Sequence, residues 1–220
     1  DDFSITEAEI SRAIPRMKTL GAKFVRIMSY KVLDQEDQLA GERIRRLRLI
    51  VDAFAAEGIT SVHENCMNYG GMSWKHTMEL VEAVPGMKLV FDTCNPVFNR
   101  DHSRDNKPWQ NAWEFYQNVK EHISYIHVKD GLNPSPENGN TEVYTYPGEG
   151  QGCVKEIMQD LKESGYEGGI SIEPHLAAVF HDADSQNHTD EDPKDIYIRY
   201  GQKLMEILSS IGYECSPYQP

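Results

Sequence analysis

Four short apolar runs, each ending in a side chain of the metal-binding kind, constrain this chain more than any other feature. They are Ser61-Val62-His63-Glu64-Asn65, Leu89-Val90-Phe91-Asp92-Thr93, Tyr125-Ile126-His127-Val128-Lys129 and Ile170-Ser171-Ile172-Glu173-Pro174-His175. Glu64, Asp92, His127 and Glu173 follow one another at intervals of 28, 35 and 46 residues. A strand, its crossover helix and the connections need roughly 25–40 residues. The four side chains therefore belong at one end of one parallel sheet, where functional groups gather at the strands' carboxyl ends. Three carboxylates and an imidazole at one point repel one another unless a cation holds them, so a divalent ion is expected. An oxygen-rich set with one imidazole suits manganese, magnesium or cobalt better than zinc.

The rest of the chain alternates around these runs. Helical patterns cover residues 4–20, 41–57, 73–83, 109–121, 154–164 and 195–210, the run ending in Asp92 is a strand over 88–92, and a fifth strand falls at 23–30. Ser4 and Glu7 have capping-box spacing, and Pro15 should kink or divide the first helix. In the second helix Ile44, Leu47, Ile50, Val51 and Phe54 form the inner stripe, and Arg43, Arg45, Arg46 and Arg48 read as its solvated face. Residues 131–152 and 175–193 read as long loops.

Strict alternation implies a parallel sheet with helices outside it, an α/β fold. The chain reads as a single domain, 1–220, made of the C-terminal five βα units of a (β/α)8 TIM barrel without its first three. An open doubly wound sheet is the alternative. No G-x-G-x-x-G follows a strand, so a Rossmann dinucleotide site is unsupported.

Side chains alternate along a strand, so His127 and Lys129 share a face, as do Ser171, Glu173 and His175. Lys129 then points toward the metal region, and Asp130 leaves that face for the loop. His63 points to the helix layer as a structural histidine, and Cys66 and Cys94 read as small buried side chains. His181 and His188 read as a solvated loop, with a lid or a subunit contact as alternatives, which leaves a homo-oligomer open.

A formal charge of −13 counts against a nucleic-acid partner. No segment approaches the roughly 20 apolar residues of a membrane span. Four cysteines without a C-x-x-C pair favour a reducing compartment such as the cytoplasm, and no signal peptide is visible.

These runs, with His127-Val128-Lys129-Asp130, Pro147-Gly148-Glu149-Gly150-Gln151-Gly152 and Gly165-Tyr166-Glu167-Gly168, resemble the xylose isomerase-like barrel superfamily from Glu7 to Gly212. That group contains sugar isomerases, sugar epimerases, inosose dehydratases and type IV endonucleases for abasic DNA. The resemblance implies a metal held by Glu64, Asp92, His127 and Glu173. It makes Glu64 and Glu173 the acid/base pair that moves a proton through an enediolate. Lys129 would support the developing oxyanion. Asn95, His175 and Glu149 are candidate substrate contacts; Glu149 also reads as an ordinary loop carboxylate.

Two positions depart from many members, which carry histidines where this chain has Cys66 and Asn95. The nucleases need extra histidines for their zinc cluster, so abasic-site cleavage is not expected. The expected function is isomerisation or epimerisation of a sugar or polyol-like keto-sugar. The alternatives are a dehydratase or lyase on a keto-sugar or cyclitol, and a non-catalytic sugar-binding or assembly module.

Overall fold

The computed structural model describes residues 3–35, 37–176 and 192–214. The expected His181 and His188 loop lies outside the described residues. The first helix, α1 (Phe3–Leu20), runs through Pro15 undivided and contains Ser4 within its first turn. Gly21 ends it at φ +67°, a left-handed conformation that glycine adopts without a Cβ penalty.

Strand β1 (Phe24–Ile27) and helix α2 (Ala40–Ala55) follow. Leu47, Val51 and Phe54 are buried on α2 at helical spacing. Arg43 corrects the expected solvated arginine face, because it is buried beside them. Its guanidinium donates to the carbonyl oxygens of Ser29 and Gln38 and lies 4.5 Å from the Tyr69 ring centroid. Its donors thus meet carbonyls of the 28–39 connection in place of water.

The pattern continues with β2 (Thr60–Glu64), α3 (Trp74–Ala83), β3 (Lys88–Asp92), the single turn α4 (Asn95–Phe98) and α5 (Ala112–Val119). Next come β4 (Ile123–Val128), β5 (Asp130–Leu132), β6 (Val143–Thr145), α6 (Val154–Glu163), β7 (Gly169–Ile172) and α7 (Pro193–Ser210).

Five strands form one parallel sheet in the order β1-β2-β3-β4-β7, with the neighbours of β4 in the register Asp92–His127 and His127–Ser171. Leu89, Phe91, Ile126 and Val128 pack against Phe115, Tyr116, Ile157, Met158 and Leu204 of the covering helices. The sheet curls strongly: Arg26 on β1 and Glu173 just past β7 come within 4.0 Å although their strands are at opposite edges.

The 131–152 segment differs from the expected loop. It contains the antiparallel β5–β6 hairpin. Three-residue strands among Gly, Pro and Asn leave no periodicity to detect. Asp130 organises the segment: its carboxylate accepts hydrogen bonds from the backbone N–H groups of Gly131, Gly148, Gly150 and Gly152 at 2.8–3.0 Å. A Cβ on Gly150 would lie 2.3 Å from the Asp130 carboxylate, so the loop can wrap this closely only without one. Among the described residues no helix is long and apolar enough to cross a membrane.

Candidate metal centre

Each ligand candidate is placed by the end of a strand. Glu64 closes β2, Asp92 closes β3, His127 lies in β4, and Glu173 follows β7, where its N–H donates to the Val128 carbonyl at 3.0 Å. One ligand atom from each of the four lies within 4.8 Å of every other. Two ligands on opposite sides of an ion with bonds of about 2.0–2.4 Å are about 4.0–4.8 Å apart, so the spacing fits one divalent cation.

The donor chemistry fits as well. His127 Nδ1 is buried, makes no hydrogen bond among the described residues, and stands 3.7 Å from Glu64 Oε1 and 3.9 Å from Glu173 Oε2. A buried nitrogen without a partner costs free energy that a metal bond would remove.

Residues just past each strand end hold the ligands in place. Asn65 takes a hydrogen bond from Asp92 N at 2.7 Å and gives one to Asp92 O at 3.0 Å. Thr93 does the same for Lys129, donating to its carbonyl at 2.5 Å and accepting from its N–H at 3.1 Å. Asp92 divides its two oxygens. Oδ1 accepts from the N–H groups of Cys94 and Asn95 at 2.8 and 2.7 Å, which caps the α4 turn. Oδ2 faces Lys129 Nζ at 3.0 Å.

Two cations interleave the carboxylates. Lys129 is buried, with Nζ 3.0 Å from Asp92 Oδ2 and 3.0 Å from Glu173 Oε2. Arg26 Nη1 lies 2.8 Å from Glu64 Oε2 and 4.0 Å from Glu173 Oε1. Burial works against the charge on Lys129, but Asp92 and Glu173 outweigh it and raise its pKa. Burial also pushes the Glu64 and Glu173 carboxyls up; His127 and Arg26 reverse this for Glu64, and Lys129 does so chiefly for Glu173, leaving both below the usual range. Asp92, fully buried, is the carboxyl held above its usual range.

The remaining expected residues are spread more widely. Asn95 is buried and its amide donates to Glu64 Oε1 at 3.2 Å, so it orients a ligand candidate. His175 is buried against Tyr144, ring centroids 5.1 Å apart. Glu149 is exposed in its turn, and the buried carboxylate of that loop is Asp130. His63 is buried; its ring packs where a Gly70 Cβ would stand, 2.3 Å from Cε1, and burial lowers its pKa to about 4. Cys94 is wholly buried against Val97, Phe98 and Ala112.

Arg26, Asn65 and Thr93 were not singled out from sequence. Arg26 carried a signal: strands of a parallel sheet are buried on both faces and read as apolar runs, so an arginine between Val25 and Ile27 is out of place without a partner.

A curled parallel sheet with three carboxylates and an imidazole that could hold a metal ion at its carboxyl end marks a barrel-type α/β protein. The chain belongs to the xylose isomerase-like TIM barrel family, matched over residues 4–196. No curated protein matches it in sequence.

Solved structures share the fold. A xylose isomerase domain protein from Planctomyces limnophilus is 19% identical, with a TM-score of 0.68 over 93% of this chain and 64% of that one. The probable 3-DHS dehydratase AsbF from Bacillus anthracis is 17% identical, with a TM-score of 0.67 over 93% of this chain and 71% of that one. The 3-keto-D-glucoside 4-epimerase YcjR from E. coli is 16% identical, with a TM-score of 0.61 over 90% of this chain and 70% of that one. The chain thus spans 64–71% of the length of these structures.

Metal addition should stabilise the fold. At a concentration about 100 times Kd the gain is about 2.7 kcal/mol, or roughly 5–10 °C in Tm for a chain of this size. Thermal unfolding with manganese, magnesium, cobalt and zinc checks this. A flat Tm across all four, or a full shift surviving in Asp92→Asn, would reject the site.

Proposed function

We propose that this chain carries the metal centre of an isomerase or epimerase that acts on a sugar or keto-sugar through an enediolate. The observation that supports it best is the placement of Glu64 and Glu173. They come from strands at different parts of the sheet, yet reach one point from two sides, each beside its own cation. Such a pair can remove a proton from one side of a carbon next to a carbonyl and return one from the other.

A divalent ion in the quartet would polarise the substrate carbonyl and so acidify the adjacent C–H. The protein's own groups do the rest. Glu173 is the more open of the two carboxylates, with 26% of its side chain exposed against 3% for Glu64. It is therefore placed to meet the substrate hydrogen, with Glu64 serving the opposite side. Lys129 holds Glu173 ionised and supplies positive charge as the substrate oxygen becomes an oxyanion.

The dehydratase reading shares this first proton removal and then expels a β-hydroxyl, so only the product separates the two. The discriminating experiment loads the protein with metal and incubates it with keto-sugars and inososes in deuterium oxide. Solvent deuterium at the α-carbon with an isomeric product is expected. An enone with loss of water assigns the dehydratase instead, and no exchange with any substrate rejects both.

A further inference from the structure

We propose that a cavity on the same rim as the quartet binds an anionic end of the substrate, a carboxylate or phosphate, so that the preferred substrate is an acidic or phosphorylated sugar. This rests on the sugar-converting reading above and deepens it. The cavity has a volume of about 290 Å³ and is bounded by Lys31, Met67, Asn68, Asn99, Arg100 and His102 among others. These residues come from the connections that leave β1, β2 and β3 at the carboxyl end of the sheet, the end that carries the quartet. Asn68 joins the two sites: it lines the cavity, and its amide donates to the Glu64 carbonyl at 3.1 Å.

The charge of the cavity is the informative property. Among the described residues no aspartate or glutamate lines it, on a chain with 35 acidic residues and a net charge of −13. Its two permanent cations, Lys31 and Arg100, make no ion pair with a carboxylate among the described residues, whereas Arg26, Arg46 and Arg104 each do. Unpaired positive charge on an acidic protein, gathered beside a cavity, draws anions and concentrates them there.

Arg100 is also held in position. Its guanidinium lies 3.5 Å over the Trp109 ring, and Arg100 and Trp109 form an antiparallel bridge. The Gln110 amide ties this loop to Gly71 O at 2.8 Å and Arg100 O at 3.1 Å. A stacked guanidinium keeps its fork of donors free for a carboxylate or phosphate, and less freedom is lost when it binds. Met67 and Met72 supply an apolar wall for the carbon next to such a group.

Trp109 makes the site readable without turnover. Metal-loaded protein is titrated with a neutral sugar, its phosphate ester, the matching uronic acid and inorganic phosphate, following tryptophan emission and heat of binding. A Trp109→Phe control assigns the optical signal. The charged sugars should bind at least about tenfold tighter than the neutral one. Lys31→Met and Arg100→Met, both at exposed positions, should erase that preference while Arg100→Lys restores part of it.

Equal affinity for charged and neutral sugars, or an undiminished preference in both methionine variants, would overturn the proposal. Inorganic phosphate binding as tightly as the sugar phosphate would assign the cavity to free anions and overturn it as a substrate site. The two readings fail separately. Deuterium exchange on neutral sugars without charge preference removes only the anion cavity. Charge-dependent binding without exchange on any sugar removes only the enzymatic reading.

Discussion

Glu173→Gln should lose at least about 10²–10⁴-fold in the rate of α-hydrogen exchange, the range typical of a general base. The substitution keeps shape and one ligand oxygen but removes the charge that Lys129 and Arg26 face. The measurement is deuterium incorporation into substrate with metal content checked on the same sample. Unchanged exchange with metal still bound would take the base role from Glu173 and pass it to Glu64. Unchanged turnover in both Glu64→Gln and Glu173→Gln would reject the enediolate route on these residues.

Lys129→Met should be damaging in a different way. Lys129 is buried between two carboxylates at 3.0 Å each, so its removal leaves Asp92 and Glu173 facing each other with no cation between them. Removing one partner of a buried ion pair costs about 3–5 kcal/mol. At this chain length that is roughly 6–20 °C in Tm. Metal should return part of the loss, because a divalent ion restores positive charge at the same point. Where the fold survives, loss of one oxyanion-stabilising charge should slow turnover by about 10²–10³-fold. A Tm without metal equal to that of the unsubstituted protein would show that Lys129 does not neutralise the pair.

Much of this architecture was legible because its signals are local. Apolar runs ending in Glu64, Asp92 and Glu173 need only the two-residue period of a strand and the length of a crossover to be aligned. The same parity separated Ile170 and Ile172, which pack on the helices, from Ser171 and Glu173. The placement of Asp130 with its loop followed from the same alternation.

What escaped depends on partners distant in the chain. Arg43 sits in a run of arginines with nothing local to distinguish it, and only the fold supplies the carbonyls of Ser29 and Gln38. Arg26 meets Glu64 on the neighbouring strand, and Glu173 only once the sheet has curled. The α4 turn has four residues and owes its cap to Asp92, so no amphipathic stripe announces it. The β5–β6 hairpin is held by Asp130 reaching glycines 18 to 22 residues further on.

The curl of the sheet gives the metal centre a mechanical meaning. Glu64 and Glu173 belong to segments separated by more than a hundred residues, and Arg26 spans the gap between the two outermost strands. An ion gripped by both glutamates is therefore a reversible crosslink that closes a very long loop. For a disulfide closing a loop of about 100 residues, the chain-entropy estimate is about 4.7 kcal/mol. A non-covalent clasp recovers a part of such a gain, and only while both ends of the sheet are folded. Loading with metal would then tighten the whole sheet as one body, including β1, which contributes no ligand.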